Sequence, residues 1–206
     1  MVNPTAKRLY DLCFATLGLL VLGVPLLLIA CAVKLSDFGP VFFKQQRVGQ
    51  RGRLFWIWKF RSMVVNADRL GLSVTRDRDP RITRVGRMLR KTKLDELPQL
   101  WNVFRGDMSF VGPRPEVPRY VERYTTAQRE ILKLKPGITD LATLEFRDEE
   151  SLLAAAGDVE TFYVEHCVPR KIELNLLYAA KASLWQDTLI ILQTLCPWCR
   201  NKPASS

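Results

Sequence analysis

The chain has 206 residues, 48% of them apolar, and a formal net charge of +10. That is enough apolar material for a globular unit with a real core. Five cysteines at irregular spacing exclude a disulfide framework and fit a reducing compartment, and a single histidine, His166, excludes chemistry built on a histidine triad or cluster. The charge is uneven: Lys44 to Lys93 holds 15 Lys/Arg against 3 Asp, and the remainder 16 basic against 18 acidic residues. Such a block seeks phosphate, whether on nucleic acid, anionic lipid or a phosphorylated small molecule.

Residues 12 to 33, "LCFATLGLLVLGVPLLLIACAV", run without a charge. As one helix they would cover ~33 Å, the thickness of a bilayer core. No small-residue cleavage site follows, so a signal peptide is the weaker reading. Gly23 and Pro25 interrupt the middle, and Pro25 removes the amide that would bond the Val21 carbonyl. Basic residues flank both ends, Lys7 and Arg8 before and Lys34, Lys44 and Arg47 after. Positive charge favours the cytoplasmic side, so both ends obey that rule only if the segment enters and returns. A kinked span and a re-entrant helix both remain open on these residues, because freed backbone groups in lipid are costly.

"RLFWIWKF" reads as a strand preceded by the turn "VGQRG". "VTRDRDPRIT" is a polar loop. From about Ile82 to Leu94 the period is helical, with Ile82, Val85, Met88 and Leu89 on one face and Arg84, Arg87 and Lys91 on another. "KTKLDELPQL" then sets Asp95 and Glu96 side by side. Adjacent acids are common on solvated surfaces; here Asp95 also suits an N-cap, with Pro98 in the first turn of the helix "QLWNVF".

"RGDMSFVGPRP" reads as a turn, a short strand and an arginine held between two prolines, which presets the direction of Arg114 as a phosphate ligand requires. "KPGIT" is another turn into an extended segment. "RDEESLLAAAGDVETFYVEH" is helical, with Asp148 to Glu150 as a helix start. Residues 169 to 195 are apolar and helical, but Lys181, Gln186 and Asp187 argue against a second span. Cys196 and Cys199 form "CPWC" near the C-terminus, without the second pair that zinc would want. There is no internal repeat and no Walker A or Rossmann glycine signature.

In this order "KFRSM", "DPRITRVGRMLRKTKLDELPQLWNVFRGDMSFVGPRP" and "KPGIT" resemble the bacterial sugar transferases, the monotopic phosphoglycosyl transferases that begin glycan assembly on a polyprenol carrier. The likeness runs over nearly the whole chain. It implies transfer of a sugar phosphate from a UDP-sugar to polyprenol (undecaprenyl) phosphate, with release of UMP. It implies a nucleophile at Asp95 and a Mg²⁺ ligand at Glu96. It implies phosphate or substrate contacts at Arg90, Arg114 and Arg147, and a basic element at Lys59 and Arg61. The expected fold is mixed α+β and helix-rich, with a re-entrant membrane helix broken at Pro25 (residues 1–37) and a compact interfacial catalytic domain (residues 38–206) on the cytoplasmic face of the inner membrane. A lipid bilayer, the UDP-sugar and the lipid phosphate are the expected partners, with no nucleic acid and with a homodimer left open.

Three features depart from the family pattern. Val24 stands where a serine often precedes the proline. "GITDLATLEFR" replaces the usual "GITGLAQVNGR", so Asp140, Thr143 and Glu145 bear on which sugar is taken. The CPWC lies outside the motifs. The reading from another class is a membrane-tethered basic module that binds anionic lipid or nucleic acid; it leaves the Asp-Glu pair and "GPRP" without a purpose. A purely structural scaffold also leaves the basic block unexplained.

Overall fold

The computed structural model describes residues 3–67, 79–146, 149–154 and 158–196. Helix α1 (Pro4–Val21) begins where Asn3 accepts the amides of Thr5 and Ala6 and Pro4 supplies a preset first turn. Helix α2 (Gly23–Asp37) follows at once, bent 62° from α1. The break falls at Leu22, just before Pro25, and the proline sits in the first turn of α2, where no amide is needed. No single helix among the described residues is long and apolar enough to cross a membrane, but this bent pair passes that test together. Leu20, Val21, Val24, Leu27 and Leu28 around the bend are all more than half exposed.

The two outer ends of the pair pack on the rest of the chain. Strands β1 (Phe42–Val48) and β2 (Leu54–Phe60) form an antiparallel hairpin, Phe42 opposite Phe60 and Val48 opposite Leu54. Its turn uses Gly52 at φ +76°, the left-handed region where glycine carries no steric penalty. Helix α3 (Arg84–Lys91) starts at Thr83, whose hydroxyl caps the Gly86 amide. It ends before the expected Leu94, because Lys93 turns the chain through a left-handed φ of 58°. Met88, expected on the apolar face, is 55% exposed, whereas Leu89 is fully buried.

A 3₁₀ turn over Leu94–Glu96 leads to α4 (Gln99–Arg105). Strand β3 (Ser109–Val111) pairs in parallel with β4 (Gly137–Thr139), Ser109 opposite Gly137 and Val111 opposite Thr139. Short helices α5 (Pro118–Val121), α6 (Leu141–Glu145), α7 (Glu149–Ala154) and α8 (Val159–Phe162) precede a π turn at Tyr163–Cys167. The long α9 (Val168–Lys181) and α10 (Leu184–Leu195) complete a helix-rich α+β fold with short strands. The expected helix start at residues 148 to 150 falls at Glu149; Asp148 lies outside the described residues.

Several small apolar clusters replace one large core. One gathers Tyr120, Tyr163, Val168 and Ile172 between α5, α8 and α9. Another seats Ala15 of α1 against Ile57, Val103 and Met108, and a third seats Val33 of α2 against Phe60 and Leu89. Both halves of the bent pair therefore share buried surface with β2, α3 and α4, which flank the turn that carries the acids.

Polar contacts lock the same interface. The Arg8 guanidinium donates to the Val103 and Phe104 carbonyls at 2.7 Å each, satisfying the open end of α4. Asp11 accepts from the Ser109 hydroxyl and the Phe110 amide. Lys7 reaches the fully buried Asp187 of α10 at 2.5 Å, and Tyr178 of α9 donates to the same carboxylate.

Candidate active site

Asp95 and Glu96 lie on the 3₁₀ turn, not at the head of α4. The N-cap role expected for Asp95 is not realised: α4 begins at Gln99 after Pro98, with no side-chain cap. The turn at Lys93 closes residues 94–96 into their own hydrogen-bonded unit, which holds Asp95 away from the α4 amides. At three residues per turn, adjacent side chains diverge by about 120°, so the two acids face different surroundings.

Glu96 is gripped. Lys59, from the end of β2, donates to Oε1 at 2.8 Å. Arg114 forks onto the carboxylate, reaching Oε2 at 3.1 Å and also bonding Oε1. Burial alone would push the Glu96 carboxyl up, but Arg114 and Lys59 overcome it and hold the group well below the usual carboxylate range. Burial lowers the Lys59 ammonium in turn, and Glu96 opposes that shift.

Asp95 is the opposite case. It is 7% exposed, and its buried Oδ1 has no hydrogen-bond partner. Burial raises its carboxyl above the ordinary value; Lys59 pulls it down, and Glu96 adds to the rise. An unpartnered carboxylate oxygen beside Lys59, Arg90 and Lys93 is a nucleophile or a ligand with lone pairs to spare.

Arg114 owes its aim to a close backbone crossing. A Cβ at Gly112 would sit 2.2 Å from the Lys135 carbonyl oxygen, and one at Gly137 would sit 2.2 Å from the Gly112 amide nitrogen. Only glycine permits the approach, across which Gly112 bonds Thr139 and Gly137 bonds Pro113. The Arg114 amide then donates to Asp140 at 3.1 Å. Asp140 is buried; it caps α6 through the Thr143 amide and accepts from Asn175 of α9 at 2.8 Å.

These groups line a cavity of about 210 Å³ that holds Lys59, Arg90, Asp95, Glu96, Arg114 and Thr143. The structure thus brings together four of the basic and acidic positions expected from sequence with a fifth, Arg90, on α3. Arg61 is placed differently. Its guanidinium bonds both oxygens of Asp37, at the end of α2, and the Pro40 and Met63 carbonyls. Glu145 points to Arg170 on the surface and does not line the cavity. Arg147 lies outside the described residues, as does Cys199. Sequence reasoning missed Lys171 and Asn175, which line the cavity one helical turn apart on α9. Their i, i+4 spacing was the available signal.

For Mg²⁺, no cluster of three or more His, Cys, Asp or Glu side chains exists among the described residues. Mg²⁺ normally takes one or two carboxylates and fills the rest of its shell with water and substrate phosphates. Asp95, with its orphaned oxygen, and the adjacent Glu96 fit that open arrangement. Three of the roughly four lone-pair positions of Glu96 are taken by Lys59 and Arg114, so Asp95 is the more open of the two.

A family model described as "Bacterial sugar transferase" matches residues 2–201. The chain is 40% identical, over 98% of its length, to the UDP-glucose:undecaprenyl-phosphate glucose-1-phosphate transferase of Escherichia coli (strain K12), of which it covers 42%. It is 37% identical, over 92% of its length, to the galactosyl transferase CpsE of Streptococcus agalactiae, of which it covers 41%. It is 34% identical to the exopolysaccharide production protein ExoY of Sinorhizobium fredii, covering 98% of this chain and 88% of that protein. The chain spans about two fifths of the length of the first two of these relatives. With a match that runs through the glycine crossing, the gripped Glu96 and the open Asp95, the chain belongs to the bacterial sugar transferase family.

Proposed function

We propose that the chain transfers a sugar 1-phosphate from a UDP-sugar to undecaprenyl phosphate, releasing UMP, and so begins assembly of a membrane-bound glycan. The observation that carries this reading is the contrast between the two acids: Glu96 gripped by Lys59 and Arg114, Asp95 buried beside them with an unpartnered oxygen. The names of the relatives support the donor and the acceptor.

Phosphoryl transfer asks a protein chiefly for alignment and charge neutralisation. Lys59, Arg90 and Arg114 supply the positive charge, and Arg114 is pre-aimed by the prolines and by Asp140. Asp95 attacks the sugar-proximal phosphorus, the bond to UMP breaks, and a sugar acyl-phosphate remains on the enzyme. Mg²⁺, held by Asp95 or Glu96 and the diphosphate, would withdraw negative charge from the donor. The bent α1–α2 pair dips into the bilayer from the cytoplasmic face and returns, which sets the cavity at headgroup depth.

Enzyme given Mg²⁺ and UDP-sugar without lipid acceptor is expected to release UMP up to about one equivalent. The peptide carrying Asp95 should gain the mass of one sugar phosphate. Asp95→Asn should abolish both signals and keep the fold, because the side chain neither caps a helix nor holds a hydrogen bond through Oδ1. UMP that appears only with acceptor present, with no adduct under rapid quench, would refute the covalent route.

A further inference from the structure

Asn175 holds its side-chain amide in one orientation. The residue is 1% exposed, and its Nδ2 donates both to Asp140 Oδ2 at 2.8 Å and to the Lys171 carbonyl at 2.9 Å. Both amide hydrogens are engaged, and turning the group over would set its oxygen against the Asp140 carboxylate. Oδ1 is left without a hydrogen-bond partner among the described residues, although Asn175 lines the cavity. Thr143 lines the same cavity. Its amide donates to Asp140, and its hydroxyl has no partner among the described residues. The carboxylate between them also accepts the Arg114 amide. One buried acid thus fixes two uncommitted polar groups, on α9 and α6, together with the arginine that grips Glu96.

We infer that Asn175 and Thr143 read the hydroxyls of the donor sugar, and that this sugar is neutral. The inference rests on the proposed transfer reaction and adds which side chains select its donor. The cavity is cationic around Asp95 and Glu96, where Lys59, Arg90 and Arg114 stand. At α6 and α9 the charge differs: Asp140 and Glu149 line the wall, and Lys171 is taken by Glu149 at 2.5 Å. A diphosphate is drawn to the first region, which leaves the sugar beside the second. A sugar hydroxyl supplies the hydrogen that Asn175 Oδ1 lacks, and the Thr143 hydroxyl accepts from or donates to a neighbouring one. A uronic acid would bring its carboxylate to two others, with the Lys171 charge already committed. Uracil fits this wall less well. Its N–H would suit Oδ1, but the carbonyls on either side need donors, and both Asn175 hydrogens are engaged.

Thr143→Val removes the hydroxyl but keeps the shape of the side chain and the backbone bond to Asp140, so it tests the wall without unfolding it. Asn175→Ala is its companion. Calorimetry on the detergent-solubilised chain would compare UDP with UDP-glucose, UDP-galactose and UDP-N-acetylgalactosamine. Each variant should weaken the UDP-sugar that the parent binds tightest by about fivefold or more and leave UDP within about twofold. Equal weakening of UDP and UDP-sugar would overturn the assignment. The parent should bind UDP-glucuronate about tenfold or more weakly than UDP-glucose, and equal or tighter binding would refute a neutral sugar. UMP release without acceptor supplies the second test. Removing one sugar hydroxyl from the donor should cost the parent about tenfold or more in kcat/KM at one position, and the same deletion should cost Thr143→Val or Asn175→Ala less than about twofold. Deoxy-sugar penalties that are the same in the parent and in both variants would refute direct reading. A parent enzyme that shows the binding pattern but never releases UMP would refute the reaction and leave the sugar subsite standing.

Discussion

Gly86→Ala tests whether the position of α3 governs the reaction centre. A Cβ at Gly86 would lie 1.8 Å from the Ser62 carbonyl oxygen and within 2.6 Å of the Ser62 carbonyl carbon and Cα. All three are backbone atoms, so no rotamer change relieves the clash. Reaching even the 3.0 Å floor of real contacts needs α3 and the Ser62 segment to part by at least about 1.2 Å. That separation strains the Thr83 amide bond to Ser62, 3.0 Å long, which starts the helix. Overpacking of this kind costs ~1–3 kcal/mol, which lowers Tm by on the order of 5 °C in a chain of this size. Arg90 sits one turn further along α3, and the Asp95 turn follows it directly. A misplacement of about 1 Å at a reacting group costs roughly 10²-fold in rate. Thermal unfolding of the detergent-solubilised chain and UMP release at saturating UDP-sugar would read the two effects. Gly23→Ala is the matched control, because nothing lies within 4 Å of its added carbon. If Gly86→Ala matches the parent in both measurements, the Ser62 contact does not set the site and the reasoning fails.

Three further outcomes are expected. Single cysteines at Asn3 and Gln46, in a background lacking the native five, should both resist a membrane-impermeant thiol reagent in intact cells; labelling of the Asn3 site alone would establish a span. Pro25→Ala should increase labelling at Asn3, because an amide at position 25 can bond the Val21 carbonyl and join α1 and α2 into one continuous helix. Cys196→Ser with Cys199→Ser should leave turnover within a few-fold of the parent, and loss of activity that tracks bound zinc would contradict this.

Local signals were the readable ones. Alternating aromatic residues gave β2, "VGQRG" gave its turn, and the unbroken apolar run with Gly23 and Pro25 gave a bent helix pair. The Asp95–Glu96 pair stood out through its motif. Its division of labour did not, because Glu96 meets Lys59 from 37 positions earlier and Arg114 from 18 positions later. Neither partner is implied by helical or strand period. The early end of α3 was hidden for another reason: Lys93 takes a left-handed φ with no glycine or asparagine to announce it. That one dihedral also removed Asp95 from the cap position that "DELP" suggested. Arg61 and Asp37 likewise join segments whose approach is visible only in three dimensions. Lys171 and Asn175 share a helical face, but a lysine on such a face ordinarily reads as solvated.

The contacts along α1 bear on whether the bent pair can be exchanged. A greasy tether is interchangeable with any other of similar length. Here Lys7, Arg8 and Asp11 satisfy Asp187, the last carbonyls of α4, and the Ser109–Phe110 edge. Grafting an unrelated apolar hairpin in place of residues 4–37 would strand these groups, at about 1–3 kcal/mol for each one left buried and unpaired. Several such losses rival the whole stability of a domain. The graft would fail in detergent as surely as in a bilayer, because what it removes is part of the network of native contacts around the site and not a mere address label.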